Sequence, residues 1–126
     1  MPVPDGLEVL LAEDISVNRK LITLMLEKLG CEVVAVSNGE QCVNMLDEYK
    51  PDIILMDMQM PVMDGYSATR IIKGRSSLAA IPVIALTAYA MTEDVDKCQE
   101  AGCDYYLSKP FTNEQLASAL KQCSNV

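Results

Sequence analysis

Short apolar runs alternate along this chain with longer segments in which apolar residues recur every three or four positions. The runs are LEVLLA (Leu7 to Ala12), CEVVAV (Cys31 to Val36), DIILM (Asp52 to Met56), IPVIALT (Ile81 to Thr87) and DYYLS (Asp104 to Ser108). Each is short and rich in branched or aromatic residues, as strands buried on both faces are. Between them lie helix candidates with recognisable ends. The first spans roughly Ser16 to Leu29, with Gly30 as a left-handed stop. The second opens after Asn38, a good N-cap, and ends near Tyr49, ahead of Pro51. The third runs from near Asp64 to Gly74 and the fourth from near Thr92 to Gly102. The last begins at Thr112, where TNEQ has capping-box spacing, and its Leu116, Ala119, Leu120 and Cys123 keep a helical period.

Strands alternating with helices predict an α/β fold, a parallel sheet covered by helices on both faces through right-handed crossovers. In such sheets ligands bind past the carboxyl ends of the strands, where the strand order reverses. The residues that end or follow each run are therefore the candidates. Glu13 and Asp14 follow the first run, Asp57 follows the third, Thr87 ends the fourth, and Lys109 and Pro110 follow the fifth.

Three carboxylates gathered at one edge repel one another. At ~4 Å and an effective dielectric of ~20, one pair costs about 4 kcal/mol. Left alone, one acid would keep its proton at neutral pH. A divalent cation removes the conflict, and the chain contains no histidine. Oxygen-only donors favour Mg²⁺ over Zn²⁺. Mg²⁺ commonly shares its shell with a phosphate oxygen, and the remaining candidates suit that ligand. Lys109 offers a compact positive charge and Thr87 a hydroxyl donor. Asp57 is placed as a nucleophile toward phosphorus, giving an aspartyl phosphate.

Composition narrows this further. The 126 residues predict one domain over 1–126, and half are hydrophobic. A net charge of −8 disfavours direct nucleic-acid or anionic-membrane binding. The absence of histidine excludes Ser-His-Asp triads and histidine bases. Five cysteines, odd in number and without a CxxC pair, read as reduced, buried thiols of a cytoplasmic chain. MPVPDG has no signal-peptide pattern, and the stretch AAIPVIALTAYAM is too short to span a bilayer. Met56, Met58, Met60 and Met63 read as adaptable packing rather than soft-metal ligands.

The segments VLLAED, NGEQC, PDIILMDMQMPVMDG, IPVIALTA and YYLSKPF occur in this order. With them, nearly the whole chain resembles a two-component response-regulator receiver domain. The resemblance implies a flavodoxin-like doubly wound sheet of order 2-1-3-4-5 flanked by five helices. It implies that Asp57 accepts a phosphoryl group from a histidine kinase or histidine phosphotransfer protein. Asp14, Asp57 and the main-chain carbonyl of Gln59 would hold Mg²⁺, with Glu13 acting through water. Glu13 stands where aspartate is the usual residue. Lys109 would contact the phosphoryl group, with a cis bond to Pro110, and Ala88 would leave the site accessible. Thr87 and Tyr106 would form the switch toward the fourth helix, fifth strand and fifth helix; strand alternation points Tyr105 to the opposite face, in a structural or surface role. Gln59 and Tyr89 would set the phosphoryl lifetime.

EDISVNRKL and MDMQMPVMDG are similar in style to receivers attached to hybrid histidine kinases or used in phosphorelays, so the chain reads either as a stand-alone regulator or as a piece of a longer protein with an attached kinase or output domain. Such a domain promotes its own phosphorylation and slow dephosphorylation without turning over a substrate, as a monomer or weak dimer. A small Mg²⁺ phosphohydrolase is the first alternative, but Gln59 occupies the position where it would need a second acid. A non-phosphorylated interaction module is the second. A flavin site is disfavoured because no Ser/Thr/Gly-rich loop follows Leu11. Finally, Val17, Leu21, Ile22, Leu24, Met25, Leu26 and Leu29 spread over roughly twice the usual buried stripe of a helix. Either the surplus is ordinary packing or it is a docking face for the histidine-bearing helix.

Overall fold

The computed structural model describes residues 3–88 and 92–124. The strands are β1 (Glu8–Ala12), β2 (Glu32–Val36), β3 (Ile53–Asp57), β4 (Val83–Thr87) and β5 (Tyr105–Ser108). The helices are α1 (Ser16–Lys28), α2 (Gly39–Met45), α3 (Gly65–Gly74), α4 (Thr92–Ala101) and α5 (Asn113–Cys123). All neighbouring strands pair in parallel, in the order β2-β1-β3-β4-β5 that the resemblance implied.

The strands start a residue or two later than the apolar runs, for a reason visible at the leading aspartates. Asp52 does not begin β3; its carboxylate accepts the Glu8 N–H at 2.9 Å. Asp104 likewise accepts the Val83 N–H at 2.9 Å rather than joining β5. These side chains fix the entry of the neighbouring strand. At the other end β3 runs one residue further than its apolar run, so Asp57 is a strand residue in register with Leu86.

Side chains alternate across the sheet and build two cores. Leu10, Ile54 and Met56 face Leu46, Ala68, Ile72 and Cys98, on the side of α2, α3 and α4. Val9, Leu11, Ile53 and Leu55 face Ile22, Leu26, Leu116 and Leu120, on the side of α1 and α5. Burial on both faces explains why the strands read as continuous apolar runs. Met56, Met58 and Met60 are buried in the first core and Met63 packs against it, in keeping with a packing role.

The predicted helix signals hold. Asn38 accepts the Gln41 N–H at 2.8 Å, and Thr112 and Gln115 form a reciprocal capping box. Asp64 lies just outside α3 and accepts the Ser67 N–H at 2.7 Å. Gly30 has φ +88°, the left-handed geometry that ends α1 cheaply. α2 stops short of Tyr49 because Leu46, Asp47 and Glu48 each donate to the carbonyl three residues back. That bonding is tighter than α-helical and closes the helix.

Lys73 ties the start of β4 to the start of β5. Its ammonium donates to Ala79 O at 3.0 Å, Ile81 O at 2.8 Å and the Asp104 carboxylate at 2.8 Å. Among the described residues no helix is long and apolar enough to cross a membrane, and no disulfide joins the cysteines.

Candidate functional site

β1 and β3 are central neighbours, with Ala12 in register with Met56. The chain leaves β1 toward β2 on one side, and β3 lies on the other, so a crevice opens between their carboxyl ends. Glu13, Asp14 and Asp57 meet there. Each offers a carboxylate oxygen, and these oxygens all lie within 4.8 Å of one another.

Glu13 is fully buried, and Asp57 is only 6% exposed. Buried acids need partners. Glu13 accepts the Lys109 ammonium at 2.7 Å and the Ile15 N–H at a long 3.4 Å. Asp57 accepts the Gln59 N–H at 3.1 Å and has the same Lys109 ammonium at 3.3 Å. Lys109 is delivered from the end of β5, where its N–H donates to Thr87 O at 2.7 Å and its bond to Pro110 is cis, as expected.

Burial pushes the Asp57 carboxyl up to about 6; the Gln59 N–H and Lys109 pull it down, and Glu13 pushes it up. Burial works against the charge of Lys109, but Glu13 and Asp57 outweigh it and hold the ammonium above its usual range. The expectation that one acid stays protonated at neutral pH is therefore softened. Lys109 lies between two of the acids and neutralises part of their charge within the chain. A value of about 6 leaves Asp57 mainly ionised at pH 7.

The backbone behind Asp57 is close-packed. Gly65 N–H donates to Met58 O at 3.1 Å, and a Cβ on Gly65 would strike the Asp57 carbonyl. Only glycine lets α3 start against the carboxyl end of β3. Thr87 is buried and Ala88 exposed at the end of β4, next to β3. Tyr89 lies outside the described residues. Tyr106 is 43% exposed and pairs with Ala85, while Tyr105 pairs with Ile84, whose side chain lies in the core on the other face. The two rings stack with centroids 6.3 Å apart on the edge strand β5.

The surplus of α1 is not absorbed by packing. Ile22 and Leu26 are buried, but Val17, Leu21 and Leu24, with Ile15 ahead of the helix, are more than half exposed. Beside them a groove of about 260 Å³, lined by Leu21, Met25, Lys109, Pro110 and Phe111, runs toward the acidic crevice.

Sequence reasoning overlooked Arg19. Its guanidinium donates to Glu13 O at 2.8 Å and, more weakly, to Asp14 O at 3.4 Å. The available signal was a cation near the start of α1, where the helix dipole favours acids and the first turn has none.

The donor set is all oxygen, brings three carboxyl groups into a small volume and has no histidine nearby, which suits a hard divalent cation.

Residues 9–121 match the family model described as the response regulator receiver domain. The chain is 36% identical to the polar-differentiation response regulator DivK of Brucella anthropi, over 90% of this chain and 92% of DivK. It is 38% identical to Histidine kinase 1 of Arabidopsis thaliana over 92% of this chain, but spans only 12% of that kinase's length. In structure it resembles the receiver domain of a sensor histidine kinase from Pseudomonas aeruginosa PAO1, at TM-score 0.90 and 42% identity, covering 96% of this chain and 99% of that one. That structure has a magnesium ion coordinated in its active-site cleft. The sequence motifs, the strand order, the acidic crevice and these likenesses agree: the chain belongs to the response-regulator receiver domains of two-component signalling.

Proposed function

We propose that Asp57 is the phosphoryl acceptor of this domain. The observation that carries the proposal is a buried carboxylate at the end of β3 with a lysine at 3.3 Å and two further carboxylates beside it. An Asp57 oxygen attacks phosphorus, the P–N bond of a partner's phosphohistidine breaks, and the imidazole leaves with its bonding electrons. Lys109 stabilises the charge that shifts onto the phosphoryl oxygens. Asp14, Asp57 and the Gln59 carbonyl would hold Mg²⁺, with Glu13 assisting through water. When bound, the cation neutralises the acids and the incoming phosphate.

The exposed apolar residues of α1 and the neighbouring groove support docking of a helix that bears the phosphohistidine. Thr87 and Tyr106 would pass the change to the face of α4, β5 and α5, and Gln59 and Tyr89 would govern how long the phosphoryl group lasts. The donor is a histidine kinase or histidine phosphotransfer protein, and a kinase or output domain attached to this one fits the likeness to a histidine kinase.

Beryllofluoride with Mg²⁺ tests the assignment. The wild type should bind it with amide shifts at Asp57, Thr87 and Lys109, and Asp57→Ala should not. Equal binding by Asp57→Ala would remove the acceptor.

A further inference from the structure

We infer that Arg19 is a positioning residue for the metal crevice, acting from α1 through the main chain of the acidic loop. The inference rests on the receiver reading above and adds a residue to it. The loop from β1 to α1 must aim Glu13 and Asp14 at Asp57 although all three repel. The Glu13 N–H is tied to Val36 O at 3.1 Å, which fixes the start of the loop on β2. The other side of the loop has no side-chain cap, because the N-cap position of α1 is Ile15.

Arg19 supplies the missing tie. Its guanidinium reaches back to the carbonyls of the two residues whose side chains form the crevice. One guanidinium nitrogen, Nη1, reaches both carbonyls, closely at Glu13 O and more weakly at Asp14 O. Arg19 is itself anchored early in α1: its N–H donates to Ile15 O at 2.8 Å, and its carbonyl accepts the Thr23 hydroxyl at 2.7 Å. The cation also places a positive charge behind the acids without using any of their side-chain oxygens. Arg19 therefore adds no competitor to Lys109, which already shares the Glu13 and Asp57 carboxylates.

Residues that orient metal ligands typically cost about 10–100-fold in affinity when removed. Mg²⁺ binding to the wild type, Arg19→Gln and Arg19→Lys, followed by amide shifts at a temperature where all are folded, tests the role. Arg19→Gln should bind about tenfold more weakly or worse, at the low end of that range. Arg19→Lys, keeping the charge on a shorter side chain, should recover part of the loss. A lower thermal midpoint with wild-type Mg²⁺ affinity in Arg19→Gln would overturn the inference and leave only a structural tie. If Arg19→Gln does not fold, Arg19→Lys decides: weaker Mg²⁺ binding supports the role and wild-type affinity overturns it. A wild type that binds no Mg²⁺ would instead overturn the metal site on which the inference stands.

Discussion

Two lysine–aspartate pairs sit at opposite ends of one sheet and differ in how far they are satisfied. At the entry end, Lys73 meets Asp104 at 2.8 Å and donates to two carbonyls as well, while Asp104 also accepts the Val83 N–H. At the exit end, Lys109 meets Asp57 at 3.3 Å but lies closer to Glu13, at 2.7 Å. The first lysine spends all three donors on fixed partners and ties the chain together. The second is divided between two buried acids and neutralises neither fully. A closed pair stabilises; a divided pair leaves negative charge that a metal ion and a phosphoryl group can share. The same sheet thus uses one residue pairing for two ends, and the difference lies in how many acceptors compete for the cation.

The largest expected effect comes from emptying the divided pair. Lys109→Met should slow phosphoryl uptake from phosphoramidate about 100-fold, the usual cost of losing one donor to developing negative charge. Phosphoprotein formation under saturating Mg²⁺ measures it. A rate within a few-fold of wild type would mean that the divided lysine has no part in the chemistry. The closed pair should respond the other way. Lys73→Met leaves the Ala79 and Ile81 carbonyls without this donor and Asp104 with the Val83 N–H alone, and should cost about 2 kcal/mol of stability. Its uptake rate should stay near wild type. Denaturant midpoints and labelling on the same samples would separate the two ends.

The fold was legible because each level of the sequence agrees: apolar runs of strand length, caps at Asn38 and Thr112, and a stop at Gly30. The acidic crevice was legible because a parallel sheet brings strand ends together whatever their sequence separation. Three features were not. The division of Lys109 between Glu13 and Asp57 depends on side-chain reach across the crevice, which strand counting does not give. Arg19 acts through main-chain carbonyls and so leaves no residue-type pattern. The Tyr105–Tyr106 stack depends on how two neighbouring rings turn on an edge strand, which residue type and alternation do not give.

The next effect follows from burial at the divided pair. Asp57 is raised from 3.8 to about 6, so folding favours its protonated form. The stability this contributes is whole below about pH 3.8 and is lost as pH rises through about 6. Above that pH the ionised group costs the fold on the order of 2 kcal/mol. Asp57→Asn cannot ionise and should be more stable than wild type by that order at about pH 8 in metal-free buffer. The gap should close toward pH 4, and Mg²⁺ should narrow it by stabilising only the wild type. A variant less stable than wild type at every pH would show that the exit-end pair is closed after all.

The smallest effect on the fold belongs to the apolar surface beside the divided pair. Val17 is 73% exposed at the start of α1, the helix that follows the acidic loop. Water already covers it, so Val17→Ser should change stability by no more than about 0.5 kcal/mol. Its cost should appear only with a partner. Uptake from phosphoramidate, which needs no docking surface, should be unchanged, while uptake from a phosphorylated histidine phosphotransfer protein should need higher donor concentrations. Leu21→Ser, one turn on and lining the groove, should behave alike. If both variants took phosphate from the protein donor as readily as wild type, the unmet demand of the exit end would stop at the crevice, and the exposed face of α1 would serve something other than phosphotransfer.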